Sequence, residues 1–329
     1  MVLNKHLFCT GDPVIDIFYT GSLTSANRYT TESVERRYGG ALNTWKNAEA
    51  LIGKNTVHFF SPTGPIDANV LYKTEDIYTL RRYLLSLDSK MPSSTHIEAS
   101  GIPTDKKEFI YTQPQHIDVF MTMKSYYQEL LSIHGQIEAA LVIADYNKGT
   151  VNTHRKAASS IKDIENAFGF CIVDSRNRTL DTSLLKASKF NIWHATGNEY
   201  EANFSDNFDM LLWTNGPYDI KIVRAADGVH HELSISIPPV DIIDECGAGD
   251  TFTAAVAAYL LYHPANISEL SVLNSLELCK DACDFAIACC RDVILQPFTS
   301  VTTLTMEDLC TSLISKKSSH FSEDSLENT

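Results

Sequence analysis

Short apolar runs bounded by glycine, proline and acidic residues alternate along this chain with amphipathic stretches of helical length. Apolar residues at Leu7-Phe8 and over 15–19 predict opening strands. Gly39-Gly40 then leads into a helix over 41–51 that stops near Gly53, and a strand follows at 57–60. Leu141-Val142-Ile143-Ala144 and Phe170-Cys171-Ile172-Val173 are continuously apolar and too short for helices, the pattern of strands buried on both faces; each ends in an aspartate, Asp145 and Asp174. Between them the spacing predicts a helix over 153–168. Further strand-like runs occur at 190–194, 210–213 and 220–223, and one at 235–237 ends at Pro238-Pro239. This order predicts an α/β layered domain around a central, mostly parallel sheet. Ligands of such sheets sit outside the carboxyl ends of the strands, where Asp145 and Asp174 fall.

Two segments read as peripheral. Residues 20–38 and 106–123 are expected to form a small β appendage over one sheet edge, and 316–329 reads as a disordered, Ser- and charge-rich tail. With 329 residues, 44% of them hydrophobic and 21% charged, the chain can bury a large core. The net charge of −14 argues against a broad nucleic-acid surface. The N-terminal stretch is broken by Asp12, Pro13 and Asp16, unlike a secretory signal, and no apolar run reaches membrane-spanning length. Eight scattered cysteines lack zinc-site spacing and read as reduced thiols, so a cytoplasmic location is expected.

The densest chemical signal is Asp244-Glu245-Cys246-Gly247-Ala248-Gly249-Asp250-Thr251-Phe252, which precedes a helical run over 253–261. Two glycines at a helix start let backbone approach a ligand, and the first amides of a helix are unpaired donors at its positive end, a cradle for phosphate. An aspartate at the same turn repels a resting anion but can accept the proton of an attacking hydroxyl. The plainer alternative is a tight turn with Asp250 as a helix cap.

Asp244 to Phe252 resembles the second signature of the ribokinase (PfkB) superfamily, with its Gly-Ala-Gly-Asp core, and other landmarks of that family follow in order. Gly11-Asp12 with Asp16 resembles the first strand and its sugar-binding aspartate; Gly39-Gly40-Ala41-Leu42-Asn43 resembles the glycine pair and asparagine that bind the sugar. Gly64 and Asp67 resemble part of the Gly-x-x-Gly-x-Asp segment, and Glu199, in Asn198-Glu199-Tyr200-Glu201-Ala202, resembles the glutamate that organises magnesium and phosphate. Ala144-Asp145-Tyr146-Asn147-Lys148-Gly149 is most similar to the Ser-Asp-Tyr-x-Lys-Gly segment of heptose 7-phosphate kinases of ADP-heptose synthesis.

The resemblance implies a three-layer α/β/α kinase domain over 1–315 with a small β lid, and a magnesium- and ATP-dependent transfer of phosphate to a sugar hydroxyl. Asp250 would be the base and Gly247, Ala248 and Gly249 the anion hole. Substrate contacts would come from Asp16, Gly39, Gly40, Asn43, Lys107, Asp145 and Lys148. Nucleotide contacts would come from Thr196, Glu199, Thr214, Gly216 and Cys246, with Glu199 reaching the metal through water. Cations for a phosphorylated sugar would be drawn from Arg36, Arg37, Lys106, Lys107 and Lys148, and lid pairing would give a homodimer. The chain departs from the pattern on the nucleotide side: Thr196 replaces an asparagine, Asp219 a glycine, and Pro297-Phe298 precedes Thr299 where a glycine is usual. Alternatives are a kinase of another sugar or a nucleoside (ribokinase, fructokinase or adenosine-kinase type) and a catalytically weak ligand-binding relative. No Gly-x-Gly-x-x-Gly follows the first strand, which argues against a dinucleotide reductase.

Overall fold

The computed structural model describes residues 4–23, 29–61, 64–65, 79–86, 119–146, 164–175, 182–197, 207–297 and 300–323. In chain order its strands are β1 (Asn4–Gly11), β2 (Pro13–Leu23), β3 (Tyr29–Gly40), β4 (Val57–Ser61), β5 (Gly64–Pro65), β6 (Thr79–Ser86), β7 (Ile137–Asp145), β8 (Cys171–Ser175), β9 (Asn191–Thr196), β10 (Met210–Thr214), β11 (Ile220–Ala226) and β12 (Val229–Ile235). The helices are α1 (Ala41–Ile52), α2 (Val119–His134), α3 (Ala248–Tyr262), α4 (Val272–Ile294) and α5 (Met306–Glu323).

Nine strands form one sheet in the order β12-β11-β10-β9-β8-β7-β1-β4-β5. Pairing is parallel from β10 through β9, β8, β7 and β1 to β4, and antiparallel only towards the two edges. The side-chain period of two sends Leu7, Cys9, Val142 and Ile172 to one face, into a core shared with α1, α3 and α4. Phe8, Leu141, Ile143 and Val173 point to the other face, into a core shared with α2. Every position of β8 is therefore buried, which is why its sequence shows no alternation. This is the expected three-layer α/β/α arrangement. Along α3 the small residues Ala254, Ala255, Ala257 and Ala258 are fully covered, so the helix packs closely against α1 and α4.

The strands β3-β2-β6 form a separate three-stranded sheet. Residues 20–23 and 29–38 of the expected appendage lie in it, but its third strand is β6. Residues 106–118 lie outside the described residues, and 119–123 are helical rather than extended. Val119, Phe120, Met123 and Leu130 are the buried positions there, a helical spacing that alternation over a few residues imitated. Of the expected tail, 316–323 continue α5, and 324–329 lie outside the described residues. Of the helix expected over 153–168 only 164–168 are described, and they form a turn and an isolated bridge from Phe168 to Ser188. The strand expected at 235–237 is the end of β12, which stops at Ile235.

At the amino ends of the parallel strands, away from the aspartates, His6 Nδ1 meets His58 Nε2 at 2.9 Å, with the His134 ring 5.7 Å from that of His6. All eight cysteines are free thiols; burial pushes those of Cys9, Cys171, Cys279 and Cys283 well above their ordinary value.

Candidate active site

β1 and β7 run in parallel register so that Gly11 lies opposite Ala144. A Cβ on Gly11 would sit 1.9 Å from the Ala144 carbonyl oxygen, a contact no side chain tolerates. The close approach lets the chain turn at once: the Asp12 amide donates to the Ala144 carbonyl at 3.0 Å, and the Asp12 carbonyl accepts from the Ala41 amide at 3.1 Å. The Asp12 carboxylate is wholly buried and accepts from the Tyr146 amide at 2.9 Å. One aspartate thus ties together the ends of β1 and β7 and the start of α1.

Gly40 closes β3 and caps α1 with φ of 56°. A Cβ there would lie 2.9 Å from both the Asp12 carbonyl oxygen and Val14 Cγ2, and 3.4 Å from the Tyr146 ring. The absence of a side chain is what places α1, and with it Asn43, beside the strand ends.

α3 starts after Gly247, which caps it at φ 88°. The Cys246 amide donates to the Asp244 carboxylate at 2.9 Å and the Ala248 amide to the Glu245 carbonyl at 3.2 Å. Among the described residues the amides of Gly247 and Gly249 have no protein acceptor. They are the donors a helix start leaves over, and they suit an anion.

Asp250, in the first turn of α3, is only 4% exposed. Its Oδ2 accepts from Asn43 Nδ2 at 3.0 Å, and its Oδ1 accepts from the Tyr146 hydroxyl. A buried carboxylate needs such donors to remain ionised. Asn43 is itself held by Asn47, whose Nδ2 donates to the Asn43 carbonyl at 2.9 Å and to Asn43 Oδ1 at 3.1 Å. The carbonyl oxygen of the Asn47 side chain then accepts from the Thr302 amide at 2.9 Å.

One turn along α3, Thr253 Oγ1 lies 2.8 Å from His194 Nδ1 and 3.5 Å from the Asp174 carboxylate. His194 Nε2 is 3.0 Å from Thr214 Oγ1, so this buried ring joins the ends of β8, β9 and β10 to the helix carrying Asp250. Cys290 of α4 donates from sulfur to the Ala248 carbonyl at 3.2 Å, and burial, with Cys289 next, pushes its thiol well up.

Of the residues expected from sequence, Gly39, Gly40, Asn43, Gly247, Ala248, Gly249 and Asp250 gather at this one end of the sheet. Asp145 ends β7 and accepts from the Ser175 hydroxyl at 3.1 Å. Thr196 and Thr214 end β9 and β10, Cys246 lies in the turn before α3, and Gly216 and Asp219 occupy an exposed turn after β10. Asp16 falls in β2 by its backbone, and its side chain lies outside the described part; Asp67, Lys106, Lys107, Lys148, Glu199, Phe298 and Thr299 lie outside the described residues altogether. Among the described residues no three His, Cys, Asp or Glu side chains form a metal-binding group, and no helix is long and apolar enough to cross a membrane.

Sequence reasoning named Asp12 and Tyr146 only within family segments, without their bonds, and missed Asn47, His194 and Thr253. Two carried a readable signal. Asn47 stands four positions after Asn43 on the buried face of α1, and His194 lies near the carboxyl end of β9, next to β8 with its Asp174.

No protein-family model matches the sequence, and no curated protein matches it either. Solved structures do match in fold. Ribokinase from Giardia lamblia superposes with a TM-score of 0.58 at 12% identity, covering 94% of this chain and 100% of that one. A point mutant of phosphofructokinase-2 from Escherichia coli gives 0.55 at 15% identity, covering 95% and 99%. Arabidopsis thaliana ribokinase, complexed with ribose and ATP, gives 0.51 at 13% identity, covering 94% and 99%. The chain has the ribokinase-like fold.

Proposed function

We propose that this protein is an ATP-dependent kinase of a sugar hydroxyl in which Asp250 is the general base. The observation that carries the reading is the pairing, in one helical turn, of an Asn43-anchored carboxylate with amides of Gly247 and Gly249 that have no acceptor among the described residues. Phosphoryl transfer requires an aligned alcohol, an acceptor for its proton and donors for the charge that accumulates on the phosphoryl oxygens. Oδ1 and Oδ2 of Asp250 supply the proton acceptor, and the helix-start amides supply the donors. Bound ATP would supply the phosphoryl group at those amides, and Glu199 would help hold a magnesium ion that neutralises its charge. The fold it shares with two ribokinases and a phosphofructokinase supports a sugar as the acceptor.

Within that class we read the acceptor as a heptose 7-phosphate. The support is the segment Ala144-Asp145-Tyr146-Asn147-Lys148-Gly149, in which Ala144 and Tyr146 bond to Asp12 and the Tyr146 hydroxyl bonds to Asp250. Ribose, fructose and adenosine are the competing acceptors.

The test is ADP formation measured across those four acceptors, with magnesium present and with it chelated. Turnover with one of them is expected, and Asp250→Asn should lower kcat by about two to four orders of magnitude. Undiminished turnover in that variant refutes the base assignment. Nucleotide binding with no ADP formed on any acceptor refutes the kinase reading and favours a ligand-binding relative.

A further inference from the structure

Tyr146 follows directly on β7, and contacts with three described residues help fix it. Its amide donates to the buried Asp12 carboxylate at 2.9 Å, its ring lies beside Gly40, 3.4 Å from where a Cβ there would stand, and its hydroxyl donates to Asp250 Oδ1. It is a strut from the ends of β1 and β7 to the first turn of α3. Asn43 of α1 holds Oδ2, so among the described residues the carboxylate is oriented by donors from two separate parts of the chain.

We propose that Tyr146 is the positioning residue of the base: its phenol fixes the rotation of the Asp250 carboxylate and keeps that group ionised. This role rests on the reading of Asp250 as general base. A phenol O–H given to a carboxylate stabilises the charged form, so its removal makes the carboxylate easier to protonate. It also frees the carboxylate to turn, and a displacement of about 1 Å at a reacting group can cost about a hundredfold in rate.

Tyr146→Phe keeps the ring over Gly40 and the amide on Asp12 and removes only the hydroxyl. Other ionisable groups ride on the elements packed around this turn: Asp12 after β1, Cys290 of α4, and His194 and Asp174 around Thr253. All of them remain in the variant, so a changed pH profile reports the lost phenol.

Two measurements test the proposal. The first is steady-state phosphoryl transfer against pH on the best acceptor. Y146F is expected to lose about 10- to 100-fold in kcat, to keep its KM for nucleotide within about twofold, and to move the acid limb of the kcat profile up by about one pH unit. The second is a cycle of Y146F, D250N and the double variant in urea unfolding, where the pair should be coupled by about tenfold in the unfolding constant. A wild type that turns over while Y146F keeps both rate and profile overturns the role of Tyr146 alone. A wild type that turns over no acceptor overturns the proposed function, and the positioning role falls with it. Additivity in the urea cycle removes the bond on which the proposal is built, whether or not the wild type is active.

Discussion

The histidine cluster at the amino ends of the strands makes the stability of this fold depend on pH in a predictable direction. His58 is half-buried against the rings of Tyr126 and Phe8, at 4.8 and 5.4 Å, and its Nε2 faces His6 Nδ1 at 2.9 Å. Loss of hydration and, after it, the His6 ring lower its pKa from 6.5 to about 4. The same two kinds of effect, burial first and then His134, lower that of His6. Below pH 6.5 the unfolded chain binds a proton on His58 that the folded chain refuses until about pH 4, so stability is lost progressively across that window. One pH unit of such a difference is worth about 1.4 kcal/mol, so this imidazole alone should remove about 2 kcal/mol between pH 7.5 and pH 5. His58→Gln keeps a hydrogen-bonding group for His6 but cannot titrate. Urea unfolding followed by circular dichroism at pH 7.5, 6 and 5 should show the variant losing about 2 kcal/mol less than the wild type over this range. Parallel profiles for the two proteins would refute the reasoning, because they would mean that His58 titrates alike in the folded and unfolded chains.

Two further outcomes follow from the geometry. Gly40→Ala puts a methyl 2.9 Å from the Asp12 carbonyl oxygen at a φ of 56°, so it should cost about 2–4 kcal/mol in unfolding experiments. A melting temperature within a degree of wild type would show that the turn into α1 relaxes freely. In thiol labelling of the native protein, Cys310 is exposed and should react fast, whereas Cys9, Cys171, Cys279 and Cys283 should wait for unfolding. Labelling of any of those four thiols before unfolding contradicts this.

The central layer was legible because its strands are buried on both faces: residues 139–144 of β7 and 171–173 of β8 are unbroken apolar runs, each followed by an aspartate. The start of α3 was legible because Gly247-Ala248-Gly249-Asp250 combines backbone freedom with one carboxylate. Other elements were hidden for physical reasons. β6 carries Arg81-Arg82 within Thr79–Ser86 and belongs to the small sheet, so no apolar run marks it. β12 is an edge strand whose residues 229–232 are exposed, and its His230-His231 pair gives no alternation. Short windows around Met121 and Met123 suit a strand as well as a helix until the buried positions are known. The bonds of the site were the least legible, since Tyr146 and Asp250 are 104 residues apart and no local pattern encodes their meeting.

The bond from the Thr302 amide to Asn47 spans 255 residues of sequence, and Asn47 in turn steadies the asparagine that holds Asp250. During synthesis, therefore, the carboxylate of this protein cannot be fully braced until almost the whole of this sequence has left the ribosome. The nascent chain can assemble its sheet strand by strand and still lack the finished setting of Asp250, which ties the proposed chemistry to the arrival of the last loop before α5.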